Sequence, residues 1–420
     1  MIDFGTTFNY FWASESFDPN GDIVPLFGKY GSVDFYNFAK TDVSVDSFTE
    51  YFAAKGLSNT VAFKNNIKNN FSQAEASNVF MDGKISIFQF SALGTVFFGQ
   101  NSPFYASIKL PFVFIDSEPI FFTRGIIGGT KFVDYINQSF PAVLAENGFE
   151  NLSEGFIFKG LSDVYLRCGW NGREFFPNSS FVKNSWADFS LGCVLPFSTF
   201  FADDKNRFMH QPAGFAGGFA SFAKYSGGIK FNSDLEVNVF GENYAFFKEP
   251  VFVKVPLHKN TGMFSFGPEI EASLRRGTFW FVGGDIKTSI LLDSILLSVG
   301  YSYHSQDAGI YKIEKPYSSS LFDLNQINNI SSLTDSLEKK DRLAGFAYKI
   351  NDFLLNKNVR LMRNYVHVAN FGILFRPRQS AGEDGNMCAS ISCSLPIFGK
   401  SAFYGRQISS QCSMAFSVSI

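Results

Sequence analysis

Residues 229–239 read IKFNSDLEVNV, and apolar side chains alternate there with polar ones. The odd-numbered positions carry the apolar set, Ile229, Phe231, Leu235, Val237 and Val239. The even-numbered positions carry the polar set, Lys230, Asn232, Asp234, Glu236 and Asn238. Successive side chains of a β-strand point to opposite faces of a sheet, so this stretch predicts strands with one apolar and one polar face.

The same alternation continues through residues 264–304, where very short turns join the runs. Each run has about the 9 to 11 residues that a tilted strand needs to cross a bilayer. Strands of soluble proteins average only about 5 to 6 residues. The pattern therefore favours an all-β fold, a closed antiparallel transmembrane β-barrel, while a soluble β-sandwich remains the competing fold.

The aromatic content favours a lipid-facing surface. The 420 residues include 54 phenylalanines, 16 tyrosines and 36 glycines. A barrel in lipid needs apolar side chains around its whole perimeter, which is more than one soluble core requires. The sequence has no run of about eighteen apolar residues, so it predicts no transmembrane helix. Because only helices and closed barrels satisfy every backbone group in lipid, a membrane location implies a barrel.

The C-terminal stretch, residues 410–420, reads SQCSMAFSVSI and alternates in the same way. It resembles the closing strand of bacterial outer-membrane β-barrels, the porin-like superfamily, with no specific family matched. The resemblance implies an outer-membrane location, contact with outer-membrane lipid, and recognition by the barrel-assembly machinery of the strand between Ser410 and Ile420. It leaves a homo-oligomer open. The first residues show no signal peptide, so we expect the signal to have been removed.

The predicted barrel is a single domain, residues 1–420, with about 14 to 18 strands and an even total. The set includes strands near 3–12 and 342–350 and a short one at 32–39. Counted back from Ile420, these strands place the long polar segment 305–340 on the periplasmic side, where turns should be short. We therefore expect an error in the strand assignment between residues 305 and 376.

Two segments lose the two-residue period and favour short helices. They are residues 50–76, with Leu57, Val61, Ile67 and Phe71, and residues 131–147, with Phe132, Ile136, Phe140 and Val143. Two interpretations stay open for both segments. They could form a plug inside the lumen, or they could decorate an external loop.

The alternation assigns side chains to the two faces of the predicted wall. The predicted pore-lining residues are Lys230, Asp234, Glu236, Glu269, Glu271, Arg275, Asp285 and Lys287. The predicted lipid-facing residues are Phe231, Leu235, Ile270, Val282, Leu297 and Phe416. Charged side chains would be costly in lipid but are stable in a watery lumen or when paired with one another.

No motif predicts catalysis, a metal site or a cofactor. The four histidines, His210, His258, His304 and His367, have no paired ligand spacing, and the five cysteines form no C-x-x-C motif. The formal net charge is −2, and no basic stripe points to nucleic acid. We therefore predict that the protein is not an enzyme.

The polar face predicts a porin-like channel for passive diffusion of small hydrophilic solutes. Acidic residues slightly outnumber basic ones in the predicted lumen, so the channel should have a weak cation preference at most. The high phenylalanine content favours two alternatives. One is an outer-membrane transporter of apolar ligands, of the fatty-acid type, and the other is a structural or adhesive surface barrel.

Overall fold

In the computed structural model of the protein, nineteen strands are described. They are β1 (Ile2–Phe17), β2 (Ile23–Pro25), β3 (Val79–Asp82), β4 (Ile85–Phe97), β5 (Phe104–Ser117), β6 (Phe121–Arg124), β7 (Phe156–Leu161), β8 (Val164–Arg173), β9 (Val182–Leu195), β10 (Ala220–Phe231), β11 (Leu235–Phe246), β12 (Glu249–Lys254), β13 (Glu269–Arg275), β14 (Phe279–Leu291), β15 (Ile295–Gln306), β16 (Ile310–Lys312), β17 (Asn364–Phe375), β18 (Gly385–Lys400) and β19 (Ala402–Phe416). The described residues are 2–30, 32–40, 56–77, 79–99, 102–124, 130–173, 181–197, 219–231, 235–254, 269–291, 295–312, 363–375 and 385–416.

Twelve of these strands close into an antiparallel ring. The ring order is β1, β4, β5, β8, β9, β10, β11, β14, β15, β17, β18, β19 and back to β1. At the seam, the backbone of Ile2 pairs with that of Phe416, and Phe17 pairs with Ala402. Closure leaves no unpaired sheet edge in the wall, which a barrel in lipid requires. The predicted all-β, closed antiparallel barrel is confirmed.

The ring has fewer strands than the expected 14 to 18, because several alternating segments lie outside the wall. β12, β13 and β16 form a separate three-stranded sheet, and β3 pairs only with β6. β2 and β7 extend the main sheet beside β1 and β5 without joining the ring. The strand predicted at 32–39 is wrong, since Phe35–Lys40 is helical and buries Phe35, Phe38 and Ala39 on one face. The strand predicted at 342–350 lies outside the described residues.

The connections differ in length between the two ends of the ring. At one end of the ring, β4 and β5, β10 and β11, and β14 and β15 follow each other closely in the sequence. At the other end, which we call the long-loop end, long stretches of sequence separate β1 from β4 and β5 from β8. Gln306 pairs with Asn364, so β15 ends and β17 begins at this long-loop end. The expected error in the strand assignment between residues 305 and 376 is located here, because β15 pairs directly with β17 in the wall. Long loops of outer-membrane barrels are extracellular, and the long-loop end is assigned to that side.

Described parts of two of the long connections fold together into a helical cap, defined here as residues 26–30, 32–40, 56–77, 79–82, 120–124 and 130–154. Its helices are α1 (Phe35–Lys40), α2 (Ser58–Asn70), α3 (Gln73–Ala76), α4 (Thr130–Glu146) and α5 (Glu150–Glu154). Helices are thus present in both segments for which the sequence predicts them. No helix among the described residues is long and apolar enough to span a membrane.

The core of the cap is aromatic. The Phe35 ring centroid lies 5.8 Å from that of Phe63, 5.5 Å from that of Phe122 and 5.1 Å from that of Phe140. The Glu146 carboxylate accepts hydrogen bonds from the backbone N–H groups of Asn59 and Thr60 and from Thr60 Oγ1. It thereby satisfies two of the free N–H groups at the start of α2. This contact joins the two connections that make up the cap.

Candidate functional site

Each wall strand exposes large apolar side chains on the same face. One from each strand, in ring order, is Phe8, Phe88, Phe112, Leu166, Phe189, Tyr225, Val239, Val282, Val299, Phe371, Ile391 and Ile408. The strand registers place these residues on one surface, which is the outer surface of the ring. An apolar surface that surrounds a closed wall is far larger than the patches that soluble proteins expose. It identifies the surface that contacts lipid.

Three of the residues predicted to face lipid lie on this outer surface. Leu235 pairs with Thr288, Thr288 pairs with Leu297, and Val282 is exposed on the same face. Phe231 lies at a register shift in the pairing of β10 with β9. Phe416 pairs through its backbone at the seam with Ile2.

The remaining predicted lipid-facing residue, Ile270, is on β13, which belongs to the separate sheet and not to the wall. The predicted pore-lining residues Glu269, Glu271 and Arg275 are on the same strand. Their assignment to a membrane-crossing strand was wrong. Alternation arises in any sheet that buries one face, and β13 buries Ala272 and Leu274.

Of the other predicted pore-lining residues, four lie on the inner face of the ring. They are Lys230, Glu236, Asp285 and Lys287, on β10, β11 and β14. Asp234 lies outside the described residues. On wall strands with described side chains, the inward-facing acidic and basic residues are equal in number. They are Asp3, Asp188, Glu236, Glu242 and Asp285 against Lys109, Arg167, Lys224, Lys230 and Lys287.

One group of these charges is paired on β10, β11 and β14. Lys224 Nζ lies 2.6 Å from Glu242 Oε1, and the Tyr244 hydroxyl donates to Glu242 Oε2 at 2.8 Å. Lys287 Nζ lies 3.7 Å from Glu236 Oε1 and 3.6 Å from Asp285 Oδ1. These carboxylates therefore present little free charge to a passing ion.

A second group is paired on β5, β8 and β9. Arg167 Nε donates to Ser107 Oγ at 2.6 Å, and its guanidinium carbon lies 5.4 Å from the centre of the Tyr105 ring. The Tyr105 hydroxyl donates to Asp188 Oδ1 at 3.0 Å. The two groups together form the charged wall, which extends from β5 to β14. Its side chains interact through ion pairs, hydrogen bonds and a cation–π contact.

Four neighbouring wall strands, β15, β17, β18 and β19, have no Asp, Glu, Lys or Arg side chain that points inward among their described residues. We call these four strands the neutral wall. Asn370 Nδ2 donates to Ser302 Oγ at 3.0 Å, and Ser394 Oγ donates to Asn370 Oδ1 at 2.8 Å. Gln407 Nε2 donates to Ser409 Oγ at 3.0 Å. This wall is not among the predicted pore-lining residues, although Ser390, Ser392 and Ser394 alternate with apolar residues in a way that indicates a polar face.

An aromatic strip lies beside the neutral wall, on β11 and β14. The rings of Phe240 and Phe281 are stacked with centroids 5.4 Å apart, and those of Tyr244 and Phe279 are 5.8 Å apart. The His304 ring, on β15, meets Phe281 edge-on at 4.6 Å. All five of these side chains line one cavity.

This cavity has a volume of about 690 Å³ and extends along the barrel. Arg276 and Tyr311 line it at the long-loop end. Lys287 and Leu374 line it near the opposite ends of β14 and β17. The charged wall, the aromatic strip and the neutral wall all contribute to its surface.

The helical cap contacts the inner face of the ring on another side. Its core includes Ile85 and Ile87 of β4, Val113 and Ile115 of β5, and Phe403 of β19, all of which point inward. The cap therefore packs against the inside of the wall at the long-loop end. Phe11, Ile87 and Phe403 also line the cavity, so the cap and the cavity lie side by side.

No protein-family model matches the chain, and a search of curated proteins also finds no match. Among solved structures, an outer-membrane channel from Pseudomonas putida F1 is similar at 8% identity and a TM-score of 0.48, covering 99% of this chain and 95% of that one. A Pseudomonas aeruginosa FadL homologue gives 9% identity and a TM-score of 0.32, covering 99% and 90%. A monoaromatic hydrocarbon channel, CymD, gives 7% and 0.28, covering 82% and 77%. A likeness of this size says nothing about the solute.

The assignment of the chain rests on its own wall. Twelve strands close without an edge, every one of them exposes apolar side chains outward, and the inner face carries the charged wall, the neutral wall and the aromatic strip. Closed barrels with this arrangement are characteristic of the outer membrane. The wall of this chain therefore has the architecture of an outer-membrane-type β-barrel.

Proposed function

We propose that the protein is a channel for passive diffusion of small hydrophilic solutes through the lumen of the barrel. The cavity that runs from the long-loop end to the far ends of β14 and β17 carries this proposal. A barrel that served only as an anchor would need no such path. The hydroxyl and amide groups of the neutral wall supply partners for hydrated solutes along it.

The proposed charge preference is weak at most. Glu269 and Glu271, which tipped the expected balance toward cations, are not on the wall. The inward charges are balanced, and Glu242 and Glu236 have lysine partners. Since charge selectivity arises from rings of charged side chains, a lumen whose charges are balanced and paired should discriminate little between small cations and anions.

Planar-bilayer recording tests this function. The purified protein should give discrete conductance steps, and its reversal potential in a potassium chloride gradient should stay close to zero. Bilayers that stay silent would contradict the channel, and a large shift of the reversal potential would contradict the balanced lumen. Protein with a heat-modifiable gel mobility must be used, so that silence does not reflect misfolding.

A transporter of apolar ligands is the second candidate function. The aromatic strip favours it, because Phe240, Phe279 and Phe281 give the cavity a substantial apolar surface. A fluorescent fatty acid separates the two functions. Saturable binding in detergent together with silent bilayers would favour the transporter, whereas conductance without binding favours the diffusion channel.

A further inference from the structure

We infer that the solutes favoured by this channel are uncharged ring compounds that carry hydroxyl groups, with hexose sugars as the simplest test case. The inference rests on the proposed channel function and adds a substrate class to it. It comes from the placement of the aromatic strip and the neutral wall around one cavity. Neither feature alone would select such a compound.

The aromatic strip provides flat apolar surfaces within the lumen. The Phe240 and Phe281 rings are stacked at an interplanar angle of 24° and both line the cavity. Aromatic faces gain free energy when another apolar face stacks on them. The C–H face of a sugar ring fits this surface, whereas an ion or an open chain of hydroxylated carbons offers no comparable flat face.

The neutral wall provides hydrogen-bonding groups within the same cavity. β19 is five strands round the ring from β11, so Gln407 lies on the far side of the lumen from Phe240. Ser302, Asn370 and Ser394 are linked by hydrogen bonds and also line the cavity. Hydroxyls and amides can both donate and accept, so they suit the hydroxyl edges of a ring whose faces meet the strip.

The charged side chains in this lumen are consistent with a preference for uncharged solutes. Lys224 and Glu242 hold each other, and Lys287 lies between Glu236 and Asp285. An uncharged solute can therefore pass without displacing a counterion from the wall. A charged solute would have to exchange its hydration for groups that already have partners.

Proteoliposome flux at low solute concentration tests the inference. The probes are glucose, which is cyclic, and sorbitol, which is an open-chain alcohol of nearly the same mass. The wild-type protein should pass glucose faster than sorbitol by about two- to tenfold, the range expected for one favourable aromatic contact. Phe281→Ala should bring the ratio close to one.

The matched control is Phe97→Ala. Phe97 also points inward and contacts the Tyr105 ring at 5.7 Å, but it is not part of the cavity surface. This variant should retain the wild-type glucose-to-sorbitol ratio. Asn370→Leu, which removes hydrogen-bonding groups without removing an aromatic ring, should lower the glucose flux below that of Phe97→Ala.

The possible outcomes test the proposed substrate class and the proposed channel function separately. Equal glucose and sorbitol fluxes through a protein that conducts ions would overturn the substrate class alone. An unchanged ratio in Phe281→Ala, measured on barrel that keeps its heat-modifiable mobility, would do the same. The absence of both ion and solute flux would contradict the proposed channel itself.

Discussion

Lys224 and Glu242 face each other across the β10–β11 pair inside the barrel, with Nζ 2.6 Å from Oε1. Lys224→Met leaves a carboxylate that has lost its charged partner, although the Tyr244 hydroxyl still donates to it. Both side chains remain partly exposed, so the expected loss is about 1 to 3 kcal/mol, the range for a hydrogen bond to a charged group. Lys224→Met combined with Glu242→Gln should lose less than Lys224→Met alone.

The measurement is the temperature at which the barrel loses its compact gel mobility. Equal losses in the single and double variants would show that the ion pair contributes no coupling. Lys84→Met provides a control, since Lys84 lies 3.4 Å from Glu118 on the surface, where both side chains are more than half exposed. A surface pair of this kind should change stability by less than about 1 kcal/mol.

The two faces of the wall predict opposite effects for neighbouring positions on β15. Val299 is 57% exposed on the outer surface, and Ser298 lines the cavity. Val299→Arg places a charge in lipid and should cost roughly 2 to 4 kcal/mol near the bilayer midplane. Ser298→Arg places the same charge in the lumen and should fold. Refolding yield into lipid vesicles compares them, and equal yields would contradict the assigned faces.

Glu146 in α4 holds the start of α2 through three hydrogen bonds. Glu146→Gln weakens these contacts and should destabilise the cap by about 1 kcal/mol, as the loss of a helix cap does. Limited proteolysis of the folded protein should then cleave the cap faster while the barrel wall stays intact. Glu118→Gln, which changes only a surface ion pair, should leave the cleavage rate unchanged.

Lys64 in α2 predicts a pH dependence of the cap. Burial, together with the nearby charge of Lys68, lowers the pKa of Lys64 from 10.5 to about 8. The unfolded cap then binds more protons than the folded cap between these values, so the stability of the cap should rise as the pH increases from about 8 to 10.5. The rates of proteolysis at pH 7.5 and pH 10 measure this difference, because these two pH values span most of the range between the folded and unfolded pKa of Lys64. Lys64→Met should remove most of the change, and an unchanged dependence would assign it to another group.

The sequence predicts features that depend on neighbouring residues, and it does not predict features that depend on residues distant in the chain. The faces of Leu235 and Glu236 follow from neighbouring residues alone, and the barrel class follows from run length. Glu269 and Glu271 were misplaced because β13 alternates like a wall strand but pairs outside the ring. That difference depends on partners distant in the chain, which periodicity does not reveal.

In the lumen too, the direction of single side chains was predictable from the sequence, but their pairing was not. Individual charges such as Lys287 and Asp285 were predicted to point inward, but the pairing of Lys224 with Glu242 depends on strand register. The neutral wall was not predicted, because the predicted pore-lining residues are all charged and exclude serine and asparagine. The packing of the cap on Ile87 and Val113 joins elements from two connections, and local pattern could not indicate it.

The most direct test of the central claim, that solutes pass through the lumen along the neutral wall, is cysteine accessibility during bilayer recording. Ser392 lines the cavity and is partly exposed, while Ile391 beside it is exposed on the outer surface. Both cysteine variants are made with Cys388→Ser, because Cys388 pairs with Ser413 on the inward-facing parity, whereas the other four cysteines are on the outward-facing parity. A charged thiol reagent should reduce the single-channel conductance of Ser392→Cys and leave that of Ile391→Cys unchanged. No effect on Ser392→Cys, or an equal effect on both, would contradict a path along this wall.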